Sequence, residues 1–305
     1  MTAIFDTRQV RRAFSRAASG YGSAAALQHA VEARLLESLD YLDDRVPATV
    51  LDLGSGPGTA ARALQRRWPK ARVLAIDLAL PMLRALPRPA RWQPWKHAPL
   101  PVCADARALP LADGALDLLF CNLCLQWVDD LPAVFAGFRR VLRPGGLLLC
   151  STFGSATLAE LREAFAAADD APHVSPFASI AQFGDALLQA GFRDPVLDRD
   201  VDVHGYADLP ALMRELRALG ATNALAGRRR GLTGRARFAR AAAAYDAFRG
   251  DDGRLPARWE TITAMAWAPA PGTPERNGGA EIARFPASAI PVRRRGAAGD
   301  SGGRA

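Results

Sequence analysis

The stretch Val50-Leu51-Asp52-Leu53-Gly54-Ser55-Gly56-Pro57-Gly58 limits what this chain can fold into more than any other. Residues 49–53 form a short apolar run of the kind that makes a buried strand, and residues 59–68 return to a helical spacing. Between them, alternating glycines make a strand–turn–helix unit. A side chain at Gly54 or Gly56 would obstruct a ligand approaching the backbone, and such turns stand at the carboxyl ends of parallel strands, where open sheets bind ligands. Dinucleotide sites normally space their glycines as G-x-G-x-x-G and aim a helix N-terminus at a pyrophosphate. Here the spacing is G-x-G-x-G with Asp52 just before it. A carboxylate in that place suits a cationic or amino-bearing ligand better than a phosphate.

The surrounding pattern repeats the unit. Leu27, Val31, Leu35, Leu36 and Leu39 have helical spacing within residues 24–42. Residues 73–76 read as a second strand ending at Asp77, nineteen residues after Gly58, where an acid can accept from both hydroxyls of a ribose. A helix with Met82 and Leu83 follows, then a Pro- and Trp-rich connection over residues 87–101. Asp105 follows the next short strand, and Asn122 follows the strand at 116–120. Residues 131–142 form a helix closed by Arg143-Pro144-Gly145-Gly146, and residues 147–153 another strand. Helices alternating with buried strands indicate a parallel sheet covered on both faces. Later come a helix at 180–190, a strand at 195–203, a helix at 209–219, a basic loop at 226–234 with a helix through Phe248, and a last strand at 259–267. The expected organisation is an N-terminal helical lid (1–44), a main domain (45–267) with a basic helical insertion at about 205–250, and a disordered tail (268–305).

Charge narrows the partners. The chain has 305 residues, with 39 basic and 31 acidic ones, a net charge of +8, and only Lys70 and Lys96 as lysines. Positive charge is a footprint of nucleic-acid binding, but here it is localised. Residues 7–31 carry Arg8, Arg11, Arg12 and Arg16 without an acid, and residues 216–245 carry seven arginines without one. Both stretches flank the glycine-turn region, a placement that favours an acidic protein partner or a carboxylate substrate over nucleic acid. No apolar run is long enough for a membrane span, and the polar N-terminus lacks a secretory pattern, so a cytoplasmic location is expected. Cys103, Cys121, Cys124 and Cys150 read as small buried thiols at strand ends, because Cys121 and Cys124 have no second pair to complete a zinc site. No metal is expected, and His173 and His204 read as isolated.

Asp52, the glycine turn, Asp77 and Asp105 together resemble the class I S-adenosylmethionine-dependent methyltransferases over residues 45–155. The resemblance implies an α/β, Rossmann-like seven-stranded sheet, mostly parallel with an antiparallel last strand, helices on both faces and helical lid insertions. It implies S-adenosylmethionine as methyl donor, with Asp52, Gly54, Ser55, Gly56 and Gly58 around its methionine part. Asp77 and Leu78 would hold the ribose, Asp105 and Ala106 the adenine, and Asn122 would complete the crevice.

A closer resemblance spans residues 5–267. Phe14-Ser15-Arg16-Ala17-Ala18 with Tyr21 and Ala26-Leu27-Gln28, Asn122-Leu123 with Gln126-Trp127, Pro172-His173-Val174 with Phe177, Leu219 to Asn223, and Arg229-Arg230-Gly231-Leu232-Thr233-Gly234 look like the malonyl-acyl-carrier-protein O-methyltransferases of biotin synthesis. That family methylates the free carboxylate of a malonyl thioester, which disguises it for chain extension by fatty-acid synthesis. On this reading Tyr21 closes a lid over the reacting groups, Gln126 and Trp127 face the acceptor, and Arg229 or Arg230 offers its planar fork to the malonyl carboxylate. Acyl carrier protein, acidic as a class, would be steered by the arginines of 8–16 and 228–240. Two alternatives share the scaffold: a methyltransferase for another small carboxylic acid, and the methyltransferase-like assembly factors of respiratory complex I, which act on a protein arginine and which residues 122–267 also resemble. Nothing in the sequence sets the oligomeric state.

Overall fold

The computed structural model describes residues 3–41, 46–87, 97–231, 233–270, 275–277 and 280–282. Most of the Pro- and Trp-rich connection, Leu232 of the basic loop and the tail beyond residue 282 lie outside the described residues. In chain order, helices α1 (Thr7–Ala17), α2 (Tyr21–Ala24) and α3 (Ala26–Glu37) precede strand β1 (Thr49–Leu53). There follow α4 (Thr59–Arg67), β2 (Arg72–Asp77), α5 (Leu80–Arg84), β3 (Leu100–Cys103), β4 (Leu116–Cys121), α6 (Leu131–Val141) and β5 (Leu142–Phe153). Then come α7 (Ala159–Ala166), α8 (Ile180–Gln189), β6 (Arg193–Tyr206), α9 (Leu209–Ala218), α10 (Arg235–Asp246) and β7 (Leu255–Trp267).

Seven strands form one sheet in the order β3-β2-β1-β4-β5-β7-β6. The first five are parallel, and β7 runs antiparallel to both β5 and β6. The sequence explains why β1 and β4 lie at the centre: nearly every residue of both is buried, so each needs cover on two faces. Leu51, Leu53, Leu119 and Cys121 point into one core with α6 and α8, while Val50, Leu118 and Phe120 point into another with α3, α4 and α5. Phe135 is a hub of the first core, with ring centroids 5.2 Å from Phe183, 5.9 Å from Phe138 and 6.4 Å from Phe192. Strand order reverses between β1 and β4, which makes their carboxyl ends the crevice of the sheet.

Four details depart from the sequence expectation. Arg143 to Gly146 does not close the helix but opens β5: the register slips between Leu116↔Leu142 and Leu118↔Leu147, and Gly145, at φ +73°, absorbs the bulge. Helix α7 has no counterpart among the expected elements. Cys103 is exposed, unlike the buried Cys121 and Cys150. Within the tail, Glu275–Asn277 (β8) pairs antiparallel with Ala280–Ile282 (β9), so this part is a short hairpin.

The N-terminus is tied to residues 224–226, between α9 and α10. Phe5 bridges Leu225, the Asp6 N–H donates to the Ala224 carbonyl (2.8 Å), and the Ala226 N–H donates to the Ile4 carbonyl (2.8 Å). Phe135→Ala tests the main core directly: chemical denaturation is expected to show a loss of about 3–5 kcal/mol, because the facing rings cannot collapse into the space left.

Candidate active site

Gly54, Gly56 and Gly58 have φ of +70°, +52° and +80°, a conformation that glycine adopts without strain. The Gly54 and Ser55 N–H groups donate to the Ile76 carbonyl (2.8 and 3.1 Å), which folds the turn back over the end of β2. A Cβ on Gly54 would stand 2.6 Å from the Cβ of Cys124, and one on Gly58 would stand 2.8 Å from Leu86. Gly58 occupies the N-cap of α4 and has no side chain to cap it. Asp52 does so instead: its Oδ2 accepts from the Ala61 N–H at 2.8 Å, and the residue is only 2% exposed. Burial pushes its carboxyl well above the usual range, with the neighbouring charge of Glu32 adding to the effect. Three of the anticipated donor residues are not among those lining the crevice: Asp52 lies beneath the turn, Ser55 is buried, and Gly58 faces Leu86.

The crevice is lined by Gly54, Gly56, Asp77, Leu78, Asp105, Ala106 and Asn122 among the anticipated residues. Asp77 is held from both sides, Oδ2 accepting from the Gly56 N–H (2.9 Å) and Oδ1 from the Ala79 N–H (2.7 Å), while burial raises its carboxyl pKa. Each oxygen keeps a lone pair for a hydroxyl. Asp105 accepts from both Nε (3.0 Å) and Nη2 (2.6 Å) of Arg107, whose guanidinium holds the carboxyl below its ordinary value. Asn122 donates to the Gln28 carbonyl (3.0 Å) and accepts from the Ser151 hydroxyl (2.7 Å), so both ends of its amide are fixed.

Helix α1 supplies a wall that the sequence placed only as part of a lid: Thr7, Val10, Arg11 and Phe14 face the crevice, with Tyr21 beside them. Arg11, Arg107 and Cys124 are lining residues that pattern reading missed. Arg107 had one available signal, its place two residues after Asp105. The Tyr21 phenol is raised above its ordinary pKa by burial first and Asp77 second, and is neutral. Glu32 on α3 is pushed up to about 7 by burial, against the opposing charge of Arg62.

A second cavity of about 820 Å³ adjoins the first. It is lined by the apolar Phe153, Leu161, Phe165, Phe177, Phe238 and Trp259 and by the polar Gln126, Asn223, Arg12 and Arg217 together with Arg228, Arg229 and Arg230. Trp127 lines both cavities, and Phe5 and Phe14 meet it edge-on at 6.0 and 5.4 Å. The structure therefore brings Tyr21 and Trp127 to the crevice, and Gln126, Trp127, Arg229 and Arg230 to the larger cavity.

One expectation about charge changes. His173 is not isolated: its Nε2 lies 2.8 Å from Asp169 Oδ1 and its ring stacks on Phe165 at 4.2 Å. Several of the basic arginines are engaged within the fold. Arg228 pairs with Asp6 (2.9 Å), Arg229 and Arg237 approach Asp169 (4.0 and 3.7 Å), and Arg240 donates to the Ala168 carbonyl (2.9 Å). Arg230 makes no ion pair among the described residues. Among the described residues no group of three or more His, Cys, Asp or Glu side chains is arranged to hold a metal ion, and no helix is long and apolar enough to cross a membrane.

Residues 51–150 match the methyltransferase domain family. Among solved structures, a methyltransferase from Bacillus halodurans superposes with a TM-score of 0.56 at 18% identity, over 78% of this chain and 99% of that one. The YcgJ protein of Bacillus subtilis does so with 0.55 at 12%, over 77% and 98%. These likenesses show the fold. Sequence relatives go further. The malonyl-[acyl-carrier protein] O-methyltransferase of Xylella fastidiosa is 57% identical over 97% of this chain and 99% of its own length. That of Laribacter hongkongensis is 48% identical over 88% and 93%, and that of Gallionella capsiferriformans 43% over 92% and 96%. With lid, crevice and basic insertion all inside the matched length, the chain belongs to the malonyl-[acyl-carrier protein] O-methyltransferase family.

Proposed function

We propose that this protein transfers the methyl group of S-adenosylmethionine to the free carboxylate of malonyl-acyl carrier protein, giving the methyl ester that fatty-acid synthesis extends toward a pimeloyl carrier and biotin. The observation that carries this reading is the pair of cavities meeting at Trp127, one ringed by acids and glycines and the other lined by aromatic side chains and arginines. The full-length kinship supports it too, since the matched length includes the N-terminal segment that distinguishes the malonyl reading from the complex I assembly-factor alternative. A cytoplasmic location accords with both.

The residues present fit the donor. Gly54 and Gly56 leave the backbone open for the methionine part, Asp77 can take the ribose hydroxyls, and Leu78 and Ala106 offer apolar flanks to the adenine, with Asp105 at its edge. Asp52, Glu32 and Asp77 are neighbouring carboxyls whose pKa values burial raises, and a ligand bearing ammonium and sulfonium charges would favour their ionised forms. When bound, S-adenosylmethionine supplies an electrophilic methyl carbon: a carboxylate oxygen bonds to it as the sulfur–carbon bond breaks, leaving a neutral thioether.

The malonyl carboxylate is already ionised near neutral pH, so no base is needed and the protein contributes orientation and exclusion of water. Trp127, with Phe5 and Phe14 around it, forms a dry partition at which the two ligands meet. Tyr21, neutral and largely enclosed, closes the crevice side. Gln126, beside the larger cavity, donates its amide nitrogen to the Leu123 carbonyl (2.7 Å) and keeps a buried amide oxygen without a hydrogen-bond partner among the described residues. Of the two arginines proposed for the carboxylate, Arg230 makes no ion pair among the described residues, whereas Arg229 shares its charge with Asp169. The acidic carrier meets those arginines of the insertion and of α1 that have no ion pair among the described residues.

Incubation with methyl-labelled S-adenosylmethionine is expected to yield a labelled methyl ester on malonyl-acyl carrier protein; absence of ester from both carrier-linked and coenzyme-A-linked malonate would overturn the reading. Arg230→Ala is expected to raise KM for the malonyl substrate by about tenfold or more, the loss of one charge-assisted hydrogen bond, and unchanged kinetics in both Arg230→Ala and Arg229→Ala would remove them from the site. Glu32 gives a pH signature. Its carboxyl, at about 7 in the free protein, is drawn down when a cation binds nearby. The bound state then holds fewer protons, and donor affinity should strengthen as pH rises through about 7 and level off above it. Titration calorimetry of wild type and Glu32→Gln checks this: the variant should lose the pH dependence and release no proton on binding.

A further inference from the structure

Helix α1 is a wall common to both cavities. Its spacing of 3.6 residues per turn sends Thr7, Val10, Arg11 and Phe14 into the crevice, while Asp6, Gln9 and Arg12 face the larger cavity. The helix is seated from outside the main domain. Its N-cap, Asp6, accepts from the Gln9 N–H through Oδ1 (3.1 Å) and from Arg228 Nη2 through Oδ2 (2.9 Å). Arg228 also donates through Nη1 to the Leu225 carbonyl (2.8 Å), inside the segment that bridges Phe5. At the other end of α1, Phe14 lies against Gly220, where an added Cβ would come within 3.2 Å of the Phe14 Cα. Asp6–Arg228 is the one ion pair, among the described residues, between the N-terminal helices and the basic insertion, and the Arg228 side chain is only 16% exposed. The next residues, Arg229 and Arg230, line the larger cavity. One end of the segment thus grips the wall over the crevice and the other meets the acceptor.

We propose that Asp6 and Arg228 are positioning residues that couple the two sites: the pair seats α1 over the bound donor, and an acceptor that orders the 228–230 segment strengthens that seating. The acceptor half of this statement rests on the function proposed above; the donor half does not. Coupling is reciprocal, so a malonyl-carrier that tightens donor or product binding must itself be tightened by the same factor. Arg228 is therefore distinct from its two neighbours, acting through α1 and Trp127 rather than on the carboxylate.

The test uses Asp6→Asn, which keeps a good helix cap but loses the charge, Arg228→Met, and the double variant. Two quantities are read: the dissociation rate of S-adenosylhomocysteine from the full-length protein alone, and its Kd with and without malonyl-acyl carrier protein. Each single variant should release the thioether about fivefold faster or more, with the double variant no faster than the faster single one, since either change already breaks the pair. The tightening by carrier seen in wild type should disappear in all three. Unchanged release in Asp6→Asn, additive effects in the double variant, or no tightening by carrier in wild type would each overturn the coupling. A lowered melting temperature with release unchanged would assign the pair a structural role only. If wild type forms no ester on any malonyl thioester, the proposed function fails, and the release rates still decide whether the pair seats α1.

Discussion

A single buried hydrogen bond, from the Ala61 N–H to the Asp52 carboxylate, holds together the element on which the rest of the site is built. Helix α4 begins at a glycine because the backbone there is left-handed and Leu86 leaves no room for a Cβ, and a glycine cannot cap a helix with a side chain. The carboxylate one strand-turn earlier makes up the deficit from below. It does so in a sealed place, where burial raises its pKa and removal of the partner would leave a polar group unsatisfied. Asp77 works the same way from the neighbouring strand, taking the Gly56 and Ala79 N–H groups. Two carboxylates thus stiffen a loop that has no side chains of its own to spare.

Above that loop the chemistry is divided by aromatic packing. Trp127 stands where the crevice meets the larger cavity, and the rings of Phe5 and Phe14 fix it from α1 and the residue before its cap. Edge-on aromatic contacts stabilise such an arrangement by about 0.5–1.5 kcal/mol each beyond the area they bury. On the function proposed above, this partition would keep water from a displacement that needs only alignment. The arginines sort by partner: Arg228 pairs with Asp6, Arg229 and Arg237 approach Asp169, and Arg230 makes no ion pair among the described residues.

Legibility followed burial. Strands β1, β2 and β4 could be read to within a residue or two because both their faces are apolar, and Asp77 and Asn122 because they stand at the carboxyl ends of such strands, whereas Asp105 lies two residues beyond β3, a largely exposed edge strand. Tyr21, Gln126 and Trp127 came from resemblance, and the structure brings each to a cavity wall. What escaped reading depends on contacts distant in sequence. Whether Asp52 faces a ligand or a helix cannot be told from its neighbours, since both need an acid there. His173 looked isolated, although its partner Asp169 is only four residues away, because no regular element relates the two. The Arg143-Pro144-Gly145-Gly146 turn looked terminal; the bulge that lets it continue into β5 is set by pairing with β4.

The sequence by itself determined the doubly covered sheet, the ligand crevice at its switch point and the separation of basic flanks from the glycine-turn region, all consequences of local periodicity and of where apolar and charged residues fall. Only the tertiary structure decided how those flanks are used. An acid-free run of arginines carries no record of which side chain will meet Asp6 or Asp169. Those acids lie 222 residues from Arg228 and 60 or more from Arg229 and Arg237 along the chain, and the choice is made when α1 docks beneath the insertion. Charge placement is local information; charge pairing is not, because it depends on which surfaces the folded core brings face to face.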